Sequence, residues 1–297
     1  MQFRTLGHTG ERVSIVGLGG YHMAVPKDPE LSIRIVRTAV DGGITFMDNC
    51  WDYHDGESER RMGRALRDGY RNKVFLMSKI DSHSRAGAMR QIDECLSRLQ
   101  TDCIDLMQFH EVIRMDDPEK IFAPGGSFEG ALEAQKAGKI RYIGFTGHKS
   151  PDIHLHMLEV ALAHGHTPAT VQMPLNVMDA HHNSFHRVIP ELVKHHIGVL
   201  GMKPLAAGFA LKSGVVTATE CLHYAMNLQT SVVITGCESV AQVKQAIDAA
   251  NSFKPLSSEE AAAIVARAAG LNDAGKAEGY KSTTAYDGTT HFPHWLE

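Results

Sequence analysis

Four residues within the first 110 positions have the types needed to place a proton on an oxygen: Asp48, Tyr53, Lys79 and His110. Asp48 stops the apolar run "ITFM", and Tyr53 follows five residues later in "DNCWDY". Lys79 closes "VFLMSK" and His110 closes "IDLMQFH". An acid ending a buried strand needs a cation, because an unpaired charge there is costly. Lys79 is the candidate. A tyrosine hydroxyl, with a reference pKa near 10, donates poorly at neutral pH, and a nearby ammonium is expected to lower that value. Asp48 would hold the ammonium in place, and His110 would orient a substrate carbonyl by donating to its oxygen. Together they suit protonation of an oxygen while hydride reaches the adjoining carbon. Singly, each has a plain reading as an ion pair, a satisfied strand-end histidine or a loop aromatic. Four in order at successive strand ends do not.

Those side chains require a scaffold that gathers strand ends. Short runs, apolar on both faces, recur at 13–19, 44–48, 74–79, 104–110, 140–146, 169–176, 197–205 and 231–236. This is the pattern of parallel strands covered on both sides. Segments of helical period lie between them, among them 30–43, 88–100 and 239–250. The alternation predicts an α/β fold, a (β/α)8 TIM barrel, in which chemistry collects at the carboxyl ends of the strands. An open doubly wound sheet is the rival, but "GLGGYHM" does not complete its glycine-rich phosphate turn. Residues 1–297 are read as one such domain: a hairpin plug at about 1–12, the barrel at about 13–250, and a further helix and tail at about 257–297. The tail "GYKSTTAYDGTTHFPHWLE" carries four aromatic side chains and is expected to lie over the barrel mouth.

The chain is 43% hydrophobic and 22% charged with a net charge of −4, which points to neither a nucleic-acid nor a membrane partner. No run approaches a membrane span, and "MQFRTLGHTG" has no signal core, so a cytoplasmic setting is expected. Five cysteines without a CxxC pair read as reduced thiols. Eighteen histidines include His182 and His186 at helical i, i+4 spacing, but no acids or cysteines cluster with them, and no metal site is expected. The sequence assigns no oligomeric state.

Beyond the four residues, "RTLGHTGERVSIVGLGG", "GESERRMGRAL", "CLSRLQTDCIDLMQFH", "GALEAQKAGKIRYIGFTGH" and "VQMPLN" resemble the aldo-keto reductase family from about Phe3 to Ser252. The resemblance implies a barrel with NAD(H) or NADP(H) extended across its top and reversible reduction of carbonyls to alcohols. It makes Asp48, Tyr53, Lys79 and His110 the catalytic tetrad, with Tyr53 the proton donor. Around the cofactor it implies Gly20, Tyr21, Asp48, Thr146, Gly147, His148, Gln172, Met202, Lys203, Leu205, Gly236, Glu238, Ser239 and Gln242. Three positions depart from the family. Thr146-Gly147 stands where most members have Ser-Asn, Met202 replaces the aromatic under the nicotinamide, and Glu238 stands where cations often grip a 2′-phosphate. Good acceptance of NAD(H) is therefore expected. The substrate, a small carbonyl, alcohol or sugar, is expected against Tyr21, His22, Trp51, His83, His110, Glu111, His148 and Trp295. The alternative is a nicotinamide-sensing regulatory subunit on the same scaffold.

Overall fold

The structure is a computed structural model that describes residues 1–212 and 214–297. Eight parallel strands close a barrel in chain order: β3 (Val16–Gly19), β4 (Phe46–Asp48), β5 (Phe75–Ile80), β6 (Ile104–Phe109), β7 (Ile140–Thr146), β8 (Thr170–Pro174), β9 (Gly198–Met202) and β10 (Val232–Gly236). The last pairs back onto the first, Gly236 beside Gly19. Before them β1 (Phe3–Thr5) and β2 (Arg12–Ser14) form an antiparallel hairpin. The apolar run at 13–19 is thus divided at Ile15 between hairpin and barrel. Periodicity alone could not place that break, since both halves are apolar.

The hairpin closes the amino-terminal end of the barrel. Leu6 is fully buried among Phe46, Met77, Leu106, Leu200 and Val232, side chains that fill the barrel's interior. Gly7 carries this turn with φ +53, and a Cβ there would meet the backbone of Gly198 at 2.4 Å. Arg4 fixes the plug by donating to the carbonyls of Thr230 (2.6 Å) and Met226 (2.8 Å). Outside the strands, helices such as Pro29–Asp41, Arg85–Leu99, Pro151–Ala163 and Val240–Ser252 bury one apolar face each. Ile35, Val36, Ala39 and Val40 form that face in the first of them, as the spacing predicts. Among the described residues, no helix is long and apolar enough to cross a membrane.

Register brings the strand ends together. Gly19 lies beside Asp48, Thr146 beside Gln172, and Pro174 beside Met202. The helix Ser258–Ala268 follows the barrel, capped reciprocally by Ser257 and Glu260. The remaining chain crosses the carboxyl face of the barrel in short helical turns. Lys281, almost fully buried, holds it there by donating to Asp179 (2.5 Å) and Glu278 (2.8 Å). Asn272 and Tyr280 add hydrogen bonds to Glu278 at 2.9 and 2.6 Å.

His182 and His186 do not share a helix face. Separate 3₁₀ turns, Asp179–His181 and Phe185–Val188, flank Asn183, whose φ of +43 interrupts any continuous helix.

Candidate active site

At the carboxyl end of the barrel, Lys79 is 1% exposed and has three acceptors. It contacts Asp48 Oδ1 closely, and donates to the Asn49 carbonyl at 2.6 Å and to Tyr53 Oη at 3.2 Å. An ammonium has three N–H groups, so these contacts use all of them. The phenol oxygen accepts in this arrangement, which leaves its own O–H free to donate elsewhere. Gln172 completes the support of Asp48, its Nε2 donating to Oδ2 at 3.0 Å.

The electrostatics of Tyr53 run opposite to the sequence expectation. Burial pushes the phenol pKa well above its usual value, and Asp48, Cys50, Asp52 and Asp81 add to the rise. Burial is the larger cause, and the nearby carboxylates, Asp48 first among them, act in the same direction. Tyr53 is a neutral phenol at neutral pH.

His110 lies 6.0 Å from Tyr53, ring centre to ring centre, in an edge-on arrangement. Its Nδ1 is 2.8 Å from Asp81 Oδ1, 3.3 Å from Cys50 Sγ and 3.7 Å from Asp52 Oδ1. Burial favours the neutral ring, but Asp81, Asp52 and Glu111 outweigh it and raise the pKa from 6.5 to about 9. Asp52, by contrast, is pushed up to about 6 by burial and by Asp81, with His110 opposing. His110 is therefore an imidazolium at neutral pH, with both ring nitrogens as donors.

Beside this group, Thr146 Oγ1 and Gln172 Oε1 are buried polar atoms without a hydrogen-bond partner among the described residues. Gly147 presents no side chain because none fits: a Cβ would meet the Val112 carbonyl at 2.3 Å. That contact explains the glycine where a side-chain amide was expected to reach the cofactor. Met202 ends β9, and Lys203 follows with φ +53. The Lys203 ammonium lies 5.3 Å from the Tyr280 ring centre, and burial lowers its pKa to about 8. It has no carboxylate partner among the described residues. Leu205 packs with an apolar cluster at the rim that includes Val177 and Ala206.

At the β10 end, His22 lies across Gly236, where an added Cβ would meet its ring at 1.9 Å. His22 Nδ1 is 2.8 Å from Glu238 Oε1. Ser239 caps the following helix by accepting from Gln242 N at 3.3 Å, while Gln242 Oε1 accepts from Glu238 N at 2.6 Å. Gly20 is a close-approach position, with the Asp48 carbonyl 2.3 Å from any added Cβ. Tyr21 is 51% exposed and meets Tyr53 edge-on at 5.4 Å.

Several expected substrate contacts are engaged by the tail. Glu111 accepts from Gly288 N (2.8 Å), Thr289 N (2.8 Å) and Thr289 Oγ1 (2.7 Å). Asp287 accepts from His148 Nε2 at 3.0 Å and pairs with Lys149 at 2.8 Å. His83 lies 3.8 Å from Asp117, and its backbone N donates to the Leu296 carbonyl at 2.9 Å. Trp51 donates to Glu94 at 2.6 Å and meets Trp295 edge-on at 5.8 Å. With Asp52, Asp55 and Arg98 these two tryptophans line a pocket of about 130 Å³. Sequence reasoning passed over Cys50, Asp52 and Asp81. A second acid two residues past Lys79, at the same strand end, was the available signal for Asp81.

Comparisons agree with this architecture. A profile described as the Aldo/keto reductase family matches residues 15–220. Aldo-keto reductase YhdN of Bacillus subtilis is 34% identical over 161 residues, 49% of this chain, and the match spans about half of that protein (47%). L-galactose dehydrogenase of Arabidopsis thaliana is 25% identical over 300 residues, covering 88% of this chain and 91% of that one. The holo form of aldo-keto reductase AKR11C1 from Bacillus halodurans superposes with a TM-score of 0.75 at 23% identity, covering 90% of this chain and 96% of that one. A profile match over more than half of the chain, carried on a closed eight-stranded barrel, places this protein in the aldo/keto reductase family of NAD(P)-dependent oxidoreductases.

Proposed function

We propose that this enzyme reduces a small polar carbonyl compound to the alcohol, with Tyr53 as proton donor and His110 orienting the reacting oxygen. One observation carries the reading: Lys79 donates to Tyr53 Oη at 3.2 Å while Asp48 and Asn49 take its other hydrogens. The phenol proton is thus directed away from the lysine and toward whatever occupies the mouth. Asp48 and Gln172 keep the ammonium from turning, and the charged His110 ring favours the negative charge that builds on a carbonyl oxygen. The chain would work as one unit over residues 1–297.

The residues present fit a nicotinamide. Gln172 Oε1 and Thr146 Oγ1 are orphaned acceptors on neighbouring strands, and a carboxamide N–H₂ supplies the donors they lack. When bound, the nicotinamide cofactor supplies hydride to the carbonyl carbon. Lys203, without an acid partner among the described residues, suits an anionic part of the cofactor. Glu238 suits a ribose hydroxyl and opposes a 2′-phosphate, so NAD(H) is accepted well.

A second reading, oxidation of a sugar or polyol, is favoured by the pocket between Trp51 and Trp295. There Asp52 lines the pocket, and its carboxylate suits a hydroxyl. One relative is named for the dehydrogenation of L-galactose. Stopped-flow mixing tests both readings: enzyme with NADH or NADPH against aldehydes, ketoses and keto acids, and enzyme with NAD⁺ or NADP⁺ against sugars. Rapid reduced-cofactor oxidation by a carbonyl supports the first reading. Turnover only from the oxidised cofactor and sugars supports the second, and no turnover in either direction sinks both.

A further inference from the structure

We propose that Asp81 is a positioning residue for this reaction, holding His110 by Nδ1 in the doubly protonated form so that Nε2–H remains for the substrate oxygen. The inference rests on the role proposed above for His110 and adds a residue to it. Nδ1 faces two carboxylate oxygens, Asp81 Oδ1 at 2.8 Å and Asp52 Oδ1 at 3.7 Å, with the Cys50 thiol at 3.3 Å beside them. The 2.8 Å contact calls for a proton on Nδ1, since a bare nitrogen would set its lone pair against the Asp81 carboxylate. A neutral ring protonated there has a bare Nε2, which accepts and cannot donate to a carbonyl. Donation from Nε2 thus requires a cationic ring, and the carboxylates behind it favour one.

The groups around the ring sustain that charge from each element. The β4 loop contributes Asp52 and Cys50, the β5 loop contributes Asp81, and Glu111 follows His110 directly. The ring of Tyr53 is neutral, and Lys79 is turned to Asp48. Asp81 itself is rigid. It is 1% exposed, and its backbone N, with that of Ser82, donates to Gln91 Oε1 at 2.8 and 2.9 Å. Gln91 Nε2 in turn donates to the Trp295 carbonyl at 3.0 Å, which ties the loop to the tail. Removing the charge of Asp81 leaves Asp52 as the more distant partner.

Two measurements on the full-length holoenzyme test this. The first is the ¹⁵N NMR titration of His110 in histidine-labelled wild type, Asp81→Asn and Asp81→Glu. The second is the pH dependence of carbonyl reduction in the same proteins. The wild-type ring should carry both protons at pH 7. In Asp81→Asn its titration and the alkaline limb of kcat/KM should move down together by about one unit or more, the effect of one adjacent carboxylate. Glutamate should restore most of both. A loss of activity equal at every pH, with the ring titration unmoved, would mark Asp81 as merely structural and overturn the proposal. A neutral His110 in the wild type, or stoichiometric zinc in the purified protein, would do the same. The NMR reading needs no turnover, so it stands apart from failure of the catalytic reading, which full activity in both His110→Gln and Tyr53→Phe would reveal.

Discussion

Lys79 Nζ lies 3.2 Å from Tyr53 Oη and is the donor in that contact. The lysine therefore acts on the tyrosine by direction more than by field. It occupies a lone pair of the phenol while its other hydrogens go to Asp48 and the Asn49 carbonyl. Tyr53→Phe deletes the proton that the proposed reaction transfers and leaves the proposed cofactor contacts in place. Turnover should fall by about 100-fold or more, with cofactor Kd within about threefold of wild type. Single-turnover kinetics with fluorescence titration checks this, and a variant keeping a tenth of kcat would refute the role.

Lys79→Met leaves Asp48 buried without its cation, though Gln172 still donates to Oδ2. Loss of one partner from a buried pair costs about 3 kcal/mol or more. Urea unfolding should show that loss, and pairing the substitution with Asp48→Asn should recover part of it. Neither protein should reduce carbonyls at a useful rate. An equal loss of stability in single and double variants would argue that the pair is not coupled.

The barrel, its plug and its overlying tail were legible because each rests on local regularities. Two-sided apolar runs mark parallel strands, and an aromatic-rich tail needs a surface. The places of Asp48 and Lys79 were legible because strand ends are positions that can be counted, and Tyr53 because it follows Asp48 in a short loop. The direction of the Tyr53 shift was not. It depends first on how deeply the phenol is buried, and then on Asp48, Cys50, Asp52 and Asp81 around it, a through-space sum that sequence order does not contain. The same holds for Glu111 and His148, whose polar tips serve residues 287–289 of the tail. Contacts across more than a hundred residues leave no local pattern.

The charge on His110 sets a pH expectation. Its pKa is raised from 6.5 to about 9, and in the role proposed for it the protonated ring is the form that donates to substrate. Reduction should therefore proceed without loss through pH 7–8 and decline as pH rises through about 9. An alkaline limb near 6.5, the ordinary histidine value, would show that the carboxylates do not hold the proton. Profiles of kcat/KM in constant-ionic-strength buffers decide between these outcomes.

Glu111 holds the tail through three hydrogen bonds, two of them from backbone N–H groups. Glu111→Ala leaves those groups without their acceptor, while Lys281 still anchors the tail upstream. The segment beyond Thr283 should loosen, and proteolysis there should quicken. KM for carbonyl substrates should rise severalfold with little change in cofactor Kd. A changed cofactor Kd with unchanged KM would place the tail's influence on the wrong side of the site.

The proposed acceptance of NAD(H) rests on Glu238. It lies just past β10, 2.8 Å from His22, and both side chains are about half exposed, at 48% and 38%. A 2′-phosphate carries about two negative charges and normally requires an arginine fork or paired cations. Glu238 opposes it, and His22, already paired, offers little in return. Lys244, one turn along the helix Val240–Ser252, is the nearby cation in sequence. NADH should therefore bind well, with any preference for NADPH well short of 100-fold. Glu238→Gln should move the ratio toward NADPH by about tenfold, roughly the 1.4 kcal/mol that one exposed like charge can account for. Fluorescence titration of both cofactors against both proteins measures this. Wild-type binding of NADPH 100-fold tighter than NADH, unchanged in the variant, would show that a cation elsewhere holds the phosphate and that Glu238 faces solvent.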